Sequence, residues 1–512
     1  MLINQRSRMI ILFLLSSFSL HTPHNHLYSE ERELQTLTTG LERKIPDLLK
    51  RYRVPGTTVA LVHEGEVVWS RGFGLADKAR GIPCTASTVF QIASISKAVT
   101  AWGIMRLVEQ GTLDLDTPVE SYLTRWQLPE TGFDNSGVTV RRLLCHTAGL
   151  SRHGYPGIHP DRSIPTLEET LTGGTGDPVD VRLIQKPGAE FRYSGGGYTL
   201  LSLIVEEVTN ENFEAFVQRE ILKPLGMTQS SYEWTPELQP LTAIGYDDKG
   251  EPWPNFLFGG KGCCSLYATA PDLARFAAAG MPGPNEEPSG RGVLTPKSVE
   301  LMYTPVAELT GFAKLFGTSI GLGHFLETLS NGIRLVFHSG DNRGWHAVLA
   351  FMPDEREGIV VLTNGDVGGI HLWIDILRVW SKWACQSTPM ICRFTRMLNI
   401  TSASVAVISI AGFIFFGRVV IIQMRSGRRK WGRIPGHPFL LKRTLTIGLS
   451  SLIIASWWLV VYPVLPFIIP LTANWLSLGI TLWSATGIFM GLFSKIKKLR
   501  RHPSQGAEIE DS

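Results

Sequence analysis

The chain is poor in charge, with only 18% Asp, Glu, Lys and Arg against 44% hydrophobic residues, which excludes a largely disordered protein. Cysteine is scarce too. Six in 512 residues, none at zinc-finger spacing, exclude a disulfide-stapled scaffold. Acidic residues are missing altogether between Asn399 and Ser494. From Asn399 to the end there are 13 basic and 3 acidic residues, a net of +10, whereas the rest of the chain nets −6. The basic excess therefore sits in one tail, which argues against a nucleic-acid-binding body. At this length the chain buries at least one sizeable core.

Long apolar runs are present at both ends. Arg6 and Arg8 precede an apolar stretch from Met9 to Leu20, the pattern of a secretory signal or an uncleaved anchor, predicted over residues 1–28. Three further runs, about Ile400–Ile422, Thr444–Leu465 and Leu471–Phe493, are each long enough to span a bilayer as a helix. The link between the first two holds Arg425, Arg428, Arg429, Lys430, Arg433, Lys442 and Arg443, and the tail holds Lys495, Lys497, Lys498, Arg500 and Arg501. Positive loops stay in the cytoplasm, so the expected protein is a multi-pass protein of the cell membrane. Its C-terminus is expected in the cytoplasm and the large domain before residue 385 outside it. The organisation that follows is a large domain over 29–384, a juxtamembrane linker over 385–398, three membrane helices over 399–494 and a cytoplasmic tail over 495–512. Arg393 and Arg396, on the outer side, run against the rule. Trp431, Trp457, Trp458, Trp475 and Trp483 are candidates for interfacial belts or for packing between helices.

In the large domain, Thr57–His63 reads as a strand, Glu64-Gly65 as a turn and Val67–Trp69 as the returning strand. Ile333–Phe337, Ala347–Phe351 and Ile359–Leu362 are apolar runs of strand length, and Asn331-Gly332 is a hairpin turn signal. Between them, Ile95–Gln110, Thr199–Val208 and Asp272–Ala279 carry helical periodicity, with Gly111 a cap for the first. Gly280–Gly292 is rich in Gly and Pro and reads as a loop. Strands at both ends around a helical middle predict an α+β domain whose sheet pairs the two chain ends.

Ser94-Ile95-Ser96-Lys97 opens the first of these helices. Residues three apart share a helix face, so the Lys97 amine is expected beside the Ser94 hydroxyl. A serine needs a neighbour to accept its proton, and a lysine desolvated in a pocket can lose its own and serve. The helix N-terminus adds N–H groups that favour an oxyanion. Phe191–Tyr198 contains Tyr193 beside a run of three glycines, read as a tight turn that projects a phenol whose pKa nearby cations bring down. Phe337-His338-Ser339-Gly340 ends a strand, with Gly340 permitting close approach of a substrate to the backbone.

The order S-x-x-K, Y-x-x, H-x-G resembles that of the serine β-lactamase-related hydrolases of the class C and DD-peptidase type. The phrases Phe90–Lys97, Glu109–Asp116, Leu143–Leu150, Pro224–Met227 and Ala270–Phe276 resemble the same family, over about residues 35–383. The resemblance implies an antiparallel sheet flanked by helices, a helical subdomain, and an active site between them. It implies Ser94 as the acylated nucleophile, Lys97 as the group that deprotonates it, and Tyr193 in proton transfer. His338 then stands where many members carry the lysine of K-T-G, and the N–H groups of Ser94 and Asp341 form the oxyanion hole beside Gly340. Gly195 stands where many members have Asn. The substrate implied is an ester, a D-amino-acid peptide of cell-wall type or a β-lactam. No metal or organic cofactor is implied, and the oligomeric state is left open. The rival reading is a catalytically silent wall- or ligand-binding module on a membrane anchor. Of the remaining signals, His146 and His346 read as structural. His21, His24 and His26 read as part of an unstructured leader. Cys385 and Cys392 flank the membrane entry and are candidates to bridge.

Overall fold

The computed structural model describes residues 23–174, 179–431, 437–461, 465, 469 and 472–495. The Met9–Leu20 run and the His21, His24 and His26 side chains lie outside the described residues. The chain forms two compact units, residues 1–392 and 393–512.

The first unit is built on a nine-stranded sheet. Its strands, in chain order, are β1 Gly56–His63, β2 Glu66–Asp77, β3 Ile82–Pro83, β4 Ala307–Glu308 and β5 Ser319–Ile320. They continue with β6 Phe325–Thr328, β7 Arg334–Asn342, β8 Trp345–Met352 and β9 Glu357–Thr363. The spatial order is 3-2-1-9-8-7-6-5-4, antiparallel throughout. The expected pairing of the chain ends is present, with Thr57 opposite Thr363 and Val59 opposite Val361. β8 and β9 are buried along their whole length, which is why they read as unbroken apolar runs.

Two layers of helix cover this sheet. The longer helices are α1 Pro23–Tyr52, α2 Ser96–Glu109, α3 Gly195–Thr209, α4 Ala270–Ala279 and α5 Val367–Cys385. Side chains alternate faces along a strand. Phe351 of β8 meets Gly280 at the end of α4, whereas His346 of the same strand meets Gly369 of α5, so α4 and α5 lie on opposite faces. α1 is pinned to α5 by the Tyr52 hydroxyl, which donates to Asp375 at 2.7 Å. Helix α2 departs from the one-faced pattern expected of it. From Ser96 to Met105 every residue is buried, because α2 runs through the centre of the domain with α3 and the turn Lys261–Cys264 against it.

The glycine run 195–197 also differs from expectation. It forms the first turn of α3, capped by the Ser194 hydroxyl, which accepts from the Gly197 N–H at 3.1 Å. The reason is crowding: a Cβ at Gly196 would lie 2.6 Å from the Val181 side chain. Cys385 and Cys392 are both free thiols.

The second unit holds most of α6 Met390–Arg425, together with α7 His437–Ser456 and α8 Ala473–Leu492. Two stretches among the described residues are long and apolar enough to cross a membrane, Met390–Arg425 and Thr444–Val461. They match the first two expected spans. The third falls on α8, whose described side chains end at Phe489, and it is not among them. Ile408, Phe415 and Leu452 are each more than 60% exposed, unlike core residues. Trp457 and Trp458 donate to Ser477 at 2.9 Å and Thr481 at 3.0 Å, so these two indoles bond between helices.

Leu349 sits fully buried in β8 at the middle of the sheet. Leu349→Ala should cost about 2–5 kcal/mol by removing buried methyl groups and leaving a cavity. Equilibrium denaturation of the solubilised protein, followed by tryptophan fluorescence, measures this.

Candidate active site

Ser94 stands in the short turn Ala93–Ile95 that leads into α2. Ala93 has φ +47°, a left-handed conformation costly for a residue with a Cβ. The turn is held from two sides. The Ile92 N–H donates to Leu266 O at 3.0 Å, and β7 presses Gly340 against it. A Cβ at Gly340 would fall 2.1 Å from Ile92 O and 3.2 Å from the Ser94 nitrogen. In the structure the close approach that Gly340 permits is to the protein's own backbone at Ile92 and Ser94.

Lys97 lies one helical turn on, 1% exposed. Its Nζ donates to Ser94 Oγ at 3.1 Å and to Cys263 O at 2.9 Å, and lies 3.3 Å from Cys263 Sγ. It sits 4.9 Å from the centre of the Tyr193 ring. The Tyr193 ring lies tilted over His146 with the ring centres 4.3 Å apart, and His146 Nδ1 accepts from the Ser194 N–H at 3.1 Å. His146 thus holds the tyrosine's loop from behind, in the structural role expected of it. One cavity of about 470 Å³ is lined by Ser94, Lys97, Tyr193, Cys263, His338 and Asp341, with Phe191, Phe316 and Phe325 as its apolar wall. A second cavity of about 450 Å³ adjoins it at Tyr155. Among the described residues no three His, Cys, Asp or Glu side chains converge as a metal-holding group.

The electrostatics correct two expectations. Burial works against a charged Lys97, but its acidic neighbours, Cys263 first among them, outweigh it and hold the lysine above its ordinary value. Lys97 therefore rests as an ammonium rather than the uncharged amine expected from desolvation alone. Tyr193 is raised, because its own burial exceeds the pull of Lys97, so it rests as a neutral phenol and not an activated base.

His338 is 2% exposed. Its Nδ1 lies 2.6 Å from Ser339 O, and burial followed by the Lys97 charge pushes it down to about 3, leaving it neutral. Strand β6 pairs with β7 only as far as Phe337, so beyond it one edge of β7 is free. Asn342 and Trp345 close the β7–β8 hairpin, and hydrogen-bonded pairs alternate along an antiparallel ladder, so the Asp341 N–H points away from β8, toward that free edge. The Asp341 carboxylate lies elsewhere, 2.6 Å from His346 Nδ1, while Nε2 of that ring is 3.4 Å from Asp366.

The structure thus brings together Ser94, Lys97, Tyr193, His338, Gly340 and Asp341. Two groups in the same cleft were not anticipated. His153 lies 4.9 Å from the Tyr193 ring, and Cys263 touches Lys97. Nothing local marked Cys263, which is 166 residues from Lys97 and follows a Gly-rich stretch with no motif of its own.

A serine and a buried lysine one turn apart, a phenol over the lysine and a free strand edge across the cleft define a serine hydrolase of the β-lactamase and penicillin-binding-protein type. Residues 41–372 match the family described as Beta-lactamase, and the chain belongs to that family. It is similar to Protein flp of Staphylococcus aureus, strain MRSA252, with 26% identity over 466 residues, 88% of this chain and 87% of that one. That coverage runs well past residue 372, into the apolar helices. The putative penicillin-binding protein PbpX of Bacillus subtilis is 31% identical over 288 residues, 55% of this chain and 67% of its own. Among solved structures, the octameric penicillin-binding protein homologue from Pyrococcus abyssi superposes with a TM-score of 0.55 at 29% identity, covering 64% of this chain and 73% of that one.

Two outcomes follow from this geometry. Gly340→Ala forces a Cβ into the Ile92 carbonyl and displaces the Ser94 turn, so labelling by a serine-directed probe should fall at least tenfold while far-UV circular dichroism is retained. His346 gives a pH signature. Burial disfavours its charge, but Asp341 and Asp366 raise it to about 9 from an ordinary 6.5. The stabilisation, on the order of 3 kcal/mol, is fully present below pH 6.5 and is lost as pH rises through 9. Thermal melts of the wild type should decline across that window, and His346→Gln should flatten the decline.

Proposed function

We propose that the protein is a membrane-anchored hydrolase whose outer domain cleaves an ester, a D-amino-acid peptide or a β-lactam through an acyl-enzyme on Ser94. The observation that carries this is the Ser94 Oγ to Lys97 Nζ distance of 3.1 Å inside a cavity that Tyr193 also lines. Once Lys97 has given up its resting proton, Ser94 Oγ attacks the substrate carbonyl and its own proton passes to the free amine of Lys97. The N–H groups of Ser94 and Asp341 receive the oxyanion, as expected for donors fixed before the charge develops. Tyr193, neutral at rest, gives its proton to the leaving group and recovers one from Lys97. Water then cleaves the ester with the same groups in reverse.

His338 and Gly340 act here by shaping the cleft. A neutral His338 provides no fixed positive charge for a substrate carboxylate, and Gly195 offers no side-chain amide. Both features favour substrates recognised through shape and the reacting carbonyl. The aromatic wall of Phe191, Phe316 and Phe325 suits an apolar or acyl group.

The arrangement in the cell follows from the charge pattern and the two apolar helices. Residues 1–28 act as a signal or anchor, the hydrolase domain over 29–384 lies outside the cytoplasm, and the linker 385–398 leads to the bilayer. The membrane segment 399–494 and a cytoplasmic tail over 495–512 complete it.

Ser94→Ala should reduce labelling by a fluorophosphonate probe to background, with the fold intact by circular dichroism. Incubation of the wild type with fluorescent penicillin, a short-chain ester and a D-Ala-D-Ala peptide ranks the three substrate classes. Full labelling of the alanine variant overturns the assignment, and a wild type that neither labels nor turns over any of the three fits the silent-module reading instead.

A further inference from the structure

The acyl transfer leaves the thiol of Cys263 without a task, although it lies deeper in the cleft than most of the groups that have one. Cys263 is 2% exposed. It belongs to the turn Lys261–Cys264, which packs between α2 and α3, and both its carbonyl and its sulfur face Lys97 Nζ, at 2.9 and 3.3 Å. The sulfur also fills the space left by Gly195. A Cβ at Gly195 would come within 2.8 Å of Cys263 Sγ and 2.9 Å of His153 O. A side chain in the third position of the Tyr193 motif would therefore crowd the thiol at 263, and here the thiol occupies the place beside the lysine.

A buried ammonium needs a compensating negative charge. Around Cys263 the nearby cations are Lys97 and Arg152. The phenols Tyr155, Tyr193, Tyr198 and Tyr232 are all raised and neutral, as is the Cys264 thiol. The histidines His146, His153 and His338, which feel the Lys97 charge, are all lowered and neutral. Cys263 is what remains to carry the charge.

We propose that Cys263 is a positioning residue for the Ser94 reaction, its thiolate holding the Lys97 ammonium against Ser94 and taking the proton that Lys97 must release before Lys97 can accept the one from serine. The inference rests on the acyl-enzyme reading and adds the resting partner of its base. In the step, Lys97 Nζ passes a proton to Cys263 Sγ, a transfer uphill from the resting ion pair that is drawn on only because the next proton move consumes the free amine. The neutral amine then takes the proton of Ser94 Oγ as the oxygen–carbon bond forms and the carbonyl electron pair moves to the oxyanion. The pair begins as ammonium and thiolate and ends as ammonium and thiol, so one negative charge has moved from sulfur to oxyanion. The Cys264 thiol and Lys97, acting against burial, bring Cys263 down to about 6. Below that value the thiolate is protonated and Lys97 has nowhere to send its proton, so acylation is lost as pH falls through it.

The test uses the full-length protein in detergent and a fluorophosphonate probe. Wild-type labelling should fall with a midpoint near pH 6, where Cys263 titrates. In Cys263→Ala and Cys263→Ser the midpoint should move by about one unit or more, and labelling at pH 7.5 should drop by about 100-fold. The serine variant keeps a hydrogen bond to Lys97 and so restores packing without restoring the proton acceptor. Iodoacetamide supplies a second readout: the Cys263 sulfur forms a bond to carbon as iodide leaves with its electron pair. Peptide mass spectrometry should find this modification following the same ionisation, and modified chains should no longer take the probe at Ser94. An unchanged midpoint in both variants overturns the proposal. So does full probe labelling of chains carrying modified Cys263. Should the alanine variant fail to fold, the serine variant and the wild-type alkylation decide. Alkylation of Cys263 is read by mass whether or not Ser94 reacts, so failure of this pairing is distinguishable from failure of the acyl-enzyme reading, which Ser94→Ala tests.

Discussion

A lysine ammonium taken almost wholly out of water is the constraint on which the cleft depends. Lys97 at 1% exposure is tolerated because Ser94 Oγ and Cys263 O and Sγ converge on its Nζ. Holding those partners requires α2 in the centre of the domain, the turn Lys261–Cys264 on one side and the glycine-rich start of α3 on another. At Gly195 the two requirements meet, because the Cys263 sulfur that leaves no room for a Cβ there is also a partner of the buried lysine. Remove a partner and the charge is stranded in a low-dielectric pocket, which costs several kcal/mol.

The second requirement is backbone against backbone. Strand β7 reaches the nucleophile's turn so closely that residue 340 has room for no Cβ. Because β6 stops pairing at Phe337, the same strand offers a free edge beyond it. One strand thus positions the serine from beneath and presents an N–H from Asp341 across the cleft. The left-handed Ala93 next to Ser94 is the conformational cost of fitting the turn between β7 and Leu266.

Much of this was legible in the sequence. The β-branched run at 57–63 and the apolar runs at 347–351 and 359–362 specify strands by composition, and the sheet does pair them. The S-x-x-K spacing specifies the Ser94–Lys97 contact because it is local to one turn of helix. What stayed hidden was non-local. The Lys97–Cys263 contact joins residues 166 apart, and nothing in either segment announces the other. The charge states of Lys97 and Tyr193 were misread for the same reason. Desolvation is foreseeable for any buried group, but its balance against a particular neighbour is known only once the neighbour is placed. The apolar helices lie between these cases: their length and composition are read directly from the sequence for two of them, and the packing of Trp457 and Trp458 against α8 only emerges in three dimensions.

The pairing of β1 with β9 reaches beyond the finished molecule. The Thr57 hydroxyl donates to Leu362 O across a sequence separation of 305 residues. A contact of that range is slow to form, because the intervening loop must close before the pairing rewards it. During synthesis the N-terminal strands β1 and β2 must wait, their apolar edge unpaired, until nearly the whole hydrolase domain has been made. A growing chain therefore carries an unfinished sheet for most of its synthesis, and its exposed strands need shielding by a holdase or another peptide-binding surface until β9 has been made.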